Sequence, residues 1–271
     1  MIHLLALILY LAAFLLWLRT LLGVPRGQGR GSLAAWTAAA GVAVHVAALT
    51  SFALAFGELP LVGLGPSLSM LALLTGVGLV AALALLEGER VGIVLLPLAI
   101  LLQATAVAAG IRPSGVAPDF RGGWFILHAS LGLAGVVGVA LAGASGWLYL
   151  AQFRELKAKR MGRLFHFLPP LATLDRLGRV GSRTGFVLLT LSLALGWAWT
   201  VRFLGTMGQD EAEMWWGLFS WLAILAAIVA RGMGEGPAER RSAWANSLAF
   251  VLIAAGYLLL RLSARPGAGF L

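Results

Sequence analysis

Long apolar runs, separated by short polar and basic stretches, repeat along the whole 271-residue chain. A run of roughly 18–25 apolar residues is the length that carries a helix across a bilayer. Eight such runs are read at about 2–22, 33–57, 67–86, 91–110, 123–152, 182–204, 213–230 and 242–262. Inside lipid each span must satisfy its own backbone hydrogen bonds, so runs of this length are helical. The pattern predicts an all-α, polytopic membrane protein: one membrane domain, residues 1–271, built as a bundle of about eight transmembrane helices. The fifth run organises the rest. It carries His128 near one end, and Gly132, Gly135, Ala142, Gly143 and Gly146 follow along one helical stripe. A ring nitrogen above such a small-residue surface suits a planar ligand or the backbone of a neighbouring helix.

Composition sharpens this picture. Hydrophobic residues make up 60% of the chain and charged residues 11%, against about 25% charged in soluble domains. That leaves no room for a large soluble domain. The net charge of +9 does not point to nucleic acid, because the arginines and lysines cluster between spans, where they set topology. The stretch after span five holds Arg154, Lys157, Lys159, Arg160, Arg163, Arg176, Arg179 and Arg183, and the one after span seven holds Arg231, Arg240 and Arg241. Positive-inside counting places a multi-pass protein in the bacterial cytoplasmic (inner) membrane with both termini outside. The basic loop 153–181 is expected to form short helices on the inner membrane surface, broken at Pro169–Pro170. It either sets topology against anionic lipid or docks a cytoplasmic partner. The first helix lacks a basic leader and a cleavage site and is read as retained. The absence of cysteine excludes disulfides and thiolate metal sites.

Four histidines are the candidates for chemistry. His45 falls near the middle of span two and His128 about a turn and a half inside span five. Ionisable groups are costly inside lipid and are functional candidates there, and neutral imidazole is a common ligand of metals and haem iron. The competing explanation is a hydrogen bond to a neighbouring helix. Other buried polar groups are expected to be few. His3, at the end of span one, and His166, in the basic loop, read as interfacial. Of ten tryptophans, Trp197, Trp199, Trp215, Trp216 and Trp221 gather around the loop between spans six and seven, beside Asp210, Glu211 and Glu213. They form an aromatic belt at the headgroups or a shelf for a flat apolar ligand. No phosphate-binding glycine loop, HExxH or nucleophile–base pair is present, so no enzyme activity is expected. The 35 glycines are scattered through the spans, as in close helix packing. No internal repeat favours a transporter, although two histidines along a path would suit one.

Three segments resemble the cytochrome c assembly superfamily, the CcsA/ResC haem-handling proteins and more closely their HemX-like and YpjD-like branch. Phe56–Leu74 (FGELPLVGLGPSLSMLALL) is similar to the loop entering that family's next span, without its glutamate. Trp124–Gly135 (WFILHASLGLAG) resembles its outer histidine segment. Leu168–Trp199 is similar to the stretch that ends the basic loop in the HemX type. The resemblance implies haem as cofactor, with His45 as iron ligand within the membrane and His128 as iron ligand near the outer face. It also implies Trp124, Trp197 and Trp199 as cofactor-binding. Two expected ligands are missing: Val229 stands where a later histidine falls, and no histidine follows in span eight. His45 lies near mid-membrane and His128 is shallower, a depth difference of roughly 10 Å for upright helices, so at most one haem is expected, with a single protein ligand and an open or foreign second position. The implied function is binding or passing haem in cytochrome c maturation, with the lipid bilayer and membrane-complex partners around it. The alternative is a haem-free regulator of haem biosynthesis acting through the basic loop.

Overall fold

The computed structural model describes residues 1–22, 30–86, 91–113, 122–159, 162–201, 212–233 and 237–263. Among the described residues all regular structure is helical: α1 Ile2–Leu21, α2 Arg30–Phe56, α3 Leu64–Leu86, α4 Gly92–Ala109, α5 Gly123–Lys157, α6 Arg163–Phe167, α7 Leu171–Trp199, α8 Ala212–Ala230 and α9 Ala238–Ser263. By length and composition α1, α2, α3, α4, α5 and α7 qualify as membrane spans, and α8 contains a shorter apolar helix, Met214–Ala230. The eighth expected span is α9. It is long, but it brings Ser242, Asn246 and Ser247 into the bundle as buried polar residues, which lowers its apolar character. Arg26, Arg90, Arg160, Asp210 and Glu211 lie outside the described residues.

The helices form two groups. α1 packs on α2 and α4, and α3 packs on α4. In the second group α5 packs on α7 and α9, and α8 packs on α9 and α7. The α3–α5 contact joins them, and one continuous core runs through the joint, from Tyr10, Trp17 and Leu79 to Leu141, Leu148 and Leu177. Tyr10 enters this core because two glycines make room for it. A Cβ on Gly41 would lie 2.9 Å from its ring, and one on Gly76 would lie 2.7 Å from its hydroxyl.

α5 and α7 hold the second group together, and their small residues explain how. A Cβ on Gly138 would sit 2.7 Å from the Gly185 Cα and 2.9 Å from the Gly181 carbonyl oxygen. A Cβ on Gly181 would in turn sit 2.7 Å from the Gly138 carbonyl oxygen. Apolar surface gains little by leaving lipid, so such close backbone approach is what drives helices together in a membrane. Gly143 and Gly146, further along α5, make the same room for Phe250 and Ala243 of α9. The glycine row below His128 is therefore occupied by neighbouring helices and not by a ligand.

At the basic end the expected long loop is mostly helix. α5 continues to Lys157, α6 is a single short turn, and α7 begins at Leu171 with Pro170 at its N-cap. The prolines end the connection as expected, because Pro170 cannot sit inside a helix but fits its start. α7 extends well before the expected span because Asp175, buried on its face, anchors that turn. Arg231 Nη1 and Nη2 donate to the Asp175 carboxylate at 2.6 and 3.2 Å, and Arg179 pairs with the same group. This hydrogen bond raises the Arg231 guanidinium above its ordinary value. Arg241 Nη2 donates to the Arg231 carbonyl oxygen at 3.1 Å, so α7, α8 and α9 meet at one polar knot.

Buried polar groups are more numerous than the sequence reading expected. Hydroxyls can be kept in oil by bonding back to their own helix. Ser145 donates to the Leu141 carbonyl at 2.7 Å, Ser247 to Ala243 at 2.8 Å and Thr75 to Leu71 at 2.8 Å.

Gly138→Leu should force α5 from α7 and destabilise the protein by about 1–3 kcal/mol. Gly123→Ala, whose Cβ would meet nothing within 4 Å, should be neutral. Thermal unfolding of both variants in lipid nanodiscs checks this; equal behaviour would show that the contact is not the organising one.

Candidate functional site

The first turns of α5 face the last turns of α7. Trp124 and His128 are one turn apart on α5, and Ser192, Leu195 and Gly196 share a face of α7. Trp124 Nε1 donates to the Leu195 carbonyl oxygen at 2.9 Å. His128 Nδ1 lies 2.7 Å from the Ser192 carbonyl oxygen. Ser192 Oγ donates to the His128 carbonyl oxygen at 3.0 Å, closing a reciprocal pair between the helices. Gly196 permits the ring to reach this place: a Cβ there would lie 2.8 Å from Cε1 and 3.1 Å from Nδ1.

This arrangement fixes the imidazole tautomer. A carbonyl oxygen can only accept, so Nδ1 carries the proton. In the neutral ring Nε2 then holds a lone pair, and no hydrogen bond to it occurs among the described residues. His128 is partly exposed. A ring whose second nitrogen is held by a backbone carbonyl is the form in which histidine ligates metals, because that bond orients the ring and raises its basicity. The donor chemistry at His128 therefore fits an axial nitrogen for haem iron.

His45 is different. It is fully buried, and both ring nitrogens are engaged. Nδ1 lies 3.2 Å from the Tyr10 hydroxyl and Nε2 lies 2.9 Å from Ser69 Oγ. Ser69 Oγ donates to Gln103 Oε1 at 2.9 Å, and Gln103 Nε2 donates to the His3 carbonyl oxygen at 3.4 Å. The Ser69 proton is thus committed to Gln103, so His45 Nε2 donates to Ser69 and the Tyr10 hydroxyl donates to Nδ1. The chain runs in one direction across α1, α2, α3 and α4. As packed, His45 offers no free lone pair to an iron. His3, expected at the interface, has its ring against His45 with centroids 6.2 Å apart, and its Nδ1 is buried without a hydrogen bond. His166 is exposed, as expected.

The two principal histidines therefore stand in different helix groups. Trp124 joins His128, and Trp197 follows Gly196 in the chain and is 59% exposed. Trp199 is partly buried. The other tryptophans are divided. Trp216 Nε1 donates to the Ile253 carbonyl at 3.1 Å, and Trp221 Nε1 donates to Thr190 Oγ1 at 2.8 Å. Trp215 is exposed. Trp216 and Trp221 are helix-packing residues, not open shelf. Sequence reasoning passed over Ser192, Tyr10, Ser69 and Gln103; a glutamine inside an apolar run was the signal available.

The fold and site together define an all-helical, multi-pass membrane protein with a partly exposed, carbonyl-oriented histidine near the end of one span. The match to known families is direct. The family model described as cytochrome C assembly protein covers residues 1–265, and the chain belongs to that family. It is 25% identical over 162 residues to "Cytochrome c biogenesis protein CcsA" of Synechococcus sp. (strain RCC307), covering 52% of each chain. It is also 25% identical over 162 residues to the protein of the same name from Guillardia theta, covering 54% of each. The chain thus aligns with about half the length of the curated relatives it matches.

Tyr10→Phe and Ser69→Ala should each break the chain through His45 and lower stability by about 1–2 kcal/mol. The double variant should cost less than the sum, because both act on one network. Denaturation of the reconstituted protein measures this; full additivity would contradict a connected chain.

Proposed function

We propose that the protein is a haem-handling membrane protein of cytochrome c maturation, in which His128 presents one axial nitrogen from the end of α5. The observation that carries this reading is the bond from His128 Nδ1 to the Ser192 carbonyl oxygen, which leaves Nε2 as the ligating atom. The names of the curated relatives and the family match support the setting. Haem is the cargo, and its iron is what requires a nitrogen donor. The protein's own residues bind and orient. Trp124 pins the start of α5 to α7, Ser192 sets the tautomer, and Gly196 leaves space for the ring. Trp197 supplies an exposed aromatic surface beside them. The reading assigns the iron to His128 and not to His45, whose nitrogens are occupied within the α1–α4 group. His128 would be the one protein ligand, and any further ligand to the iron would come from a partner or a small molecule. Positive-inside counting puts the His128 end of α5 on the outer face of a bacterial inner membrane, where cytochrome c maturation partners would meet it.

Titration of the purified protein with haem, followed by Soret absorbance, tests the proposal. The wild type should develop a band. His128→Ala should weaken binding by more than about tenfold, and Gly196→Val should do the same by displacing the ring. His45→Ala should keep the band while unfolding more readily. A wild type that takes up no haem, with a cellular phenotype that follows the charges of residues 153–181, would favour the haem-free regulator instead.

A further inference from the structure

A groove of about 910 Å³ opens on the flank of the bundle, at its basic end and between α5 and α9. Its apolar wall is built by Trp147, Trp244, Leu248 and Val251. All four are exposed, Trp244 by 51% and Leu248 by 57%. The Trp147 and Phe250 rings meet edge to face at 5.4 Å, which fixes Trp147 as one side of the groove. Trp244, Leu248 and Val251 are spaced along one face of α9, a run of roughly 10 Å. Arg240 and Arg241 line the other end.

The two arginines are held in place before any ligand arrives. The Arg240 guanidinium lies over the Phe153 ring at 5.2 Å, a cation–π contact. Arg241 is anchored to the Ala230 and Arg231 carbonyls at the end of α8. The nearby carboxylates are engaged elsewhere, with Asp175 on Arg179 and Arg231, and Glu239 beside Arg231 at 3.8 Å. Among the described residues Arg240 has no carboxylate within ion-pair distance. Glu235, in the connection between α8 and α9, lies outside the described residues.

A trough that is aromatic and aliphatic along its length and cationic at one end complements a particular chemistry. We propose that it holds one anionic phospholipid, with an acyl chain along Trp147, Trp244, Leu248 and Val251 and the phosphate at Arg240 and Arg241. Preordered donors of this kind cost less to organise when a ligand arrives. Basic residues at the membrane surface select anionic over zwitterionic headgroups. Bound there, the lipid would bridge α5 to α9 on the side of α5 opposite the α7 contact.

The test uses the full chain reconstituted with equal amounts of phosphatidylglycerol and phosphatidylcholine, then partly delipidated and weighed by native mass spectrometry. The wild type should retain one phosphatidylglycerol in preference to phosphatidylcholine. Arg240→Gln should lower that retention about fivefold, and Arg154→Gln, a basic-end control outside the groove, should not. Leu248→Trp, which fills the trough with both arginines intact, should displace the lipid. It serves as the deciding variant if changes at the arginines impair folding. Equal retention of the two lipids would overturn the proposal, as would retention unchanged in Leu248→Trp or lowered equally by Arg154→Gln. Any of these three results would mean annular lipid only.

Discussion

The contact between the backbones of α5 and α7 governs the rest of the structure. Gly138, Gly181 and Gly185 bring the two helices so close that no Cβ fits between them. Once that distance is set, the ends of the helices are set too. The Ser192 carbonyl comes within 2.7 Å of His128 Nδ1, and Leu195 comes within reach of the Trp124 indole. Gly196 extends the same logic about three turns further along α7. Without a side chain there, the imidazole can lie on the helix and reach a carbonyl that a Cβ would block. The orientation of the His128 ring, with Nδ1 on a backbone carbonyl, is thus a product of helix packing.

The α1–α4 group uses the same residue types to a different end. Here glycines at 41 and 76 admit a tyrosine, and the tyrosine hydroxyl begins a chain of donors and acceptors that consumes both nitrogens of His45. A polar chain in lipid stabilises only when every member is satisfied, and this one is satisfied from Tyr10 through Gln103. One histidine is spent on joining helices while the other is kept open at a bundle end. The helix-joining explanation weighed for a membrane histidine holds for His45, and the ligand-binding one is proposed for His128 alone.

Much of this was legible in the chain. Apolar length placed the helices, and the spacing of small residues on α5 marked its contact stripe. The basic runs marked one end, and the histidine segment Trp124–Gly135 marked the candidate site. What sequence could not decide was what the stripe touched, since a planar ligand and a helix backbone demand the same small residues. Nor could it place His45 against Tyr10, Ser69 and Gln103, because those partners come from three other helices and no periodicity links them. The early start of α7 was hidden for a similar reason. Asp175 and Arg179 read as loop charges until Arg231, far along the chain, gives the carboxylate a partner.

His45 and His128 should carry their protons on opposite nitrogens. Solid-state nitrogen-15 NMR of histidine-labelled protein in bilayers, at mildly alkaline pH, reads this directly, with His128→Gln and His45→Gln used for assignment. His128 should be protonated at Nδ1 with a bare Nε2, and His45 should be protonated at Nε2 with a bare Nδ1. A proton on Nε2 of His128 would contradict the account, because the nitrogen meant for iron would then be a donor with no lone pair to give.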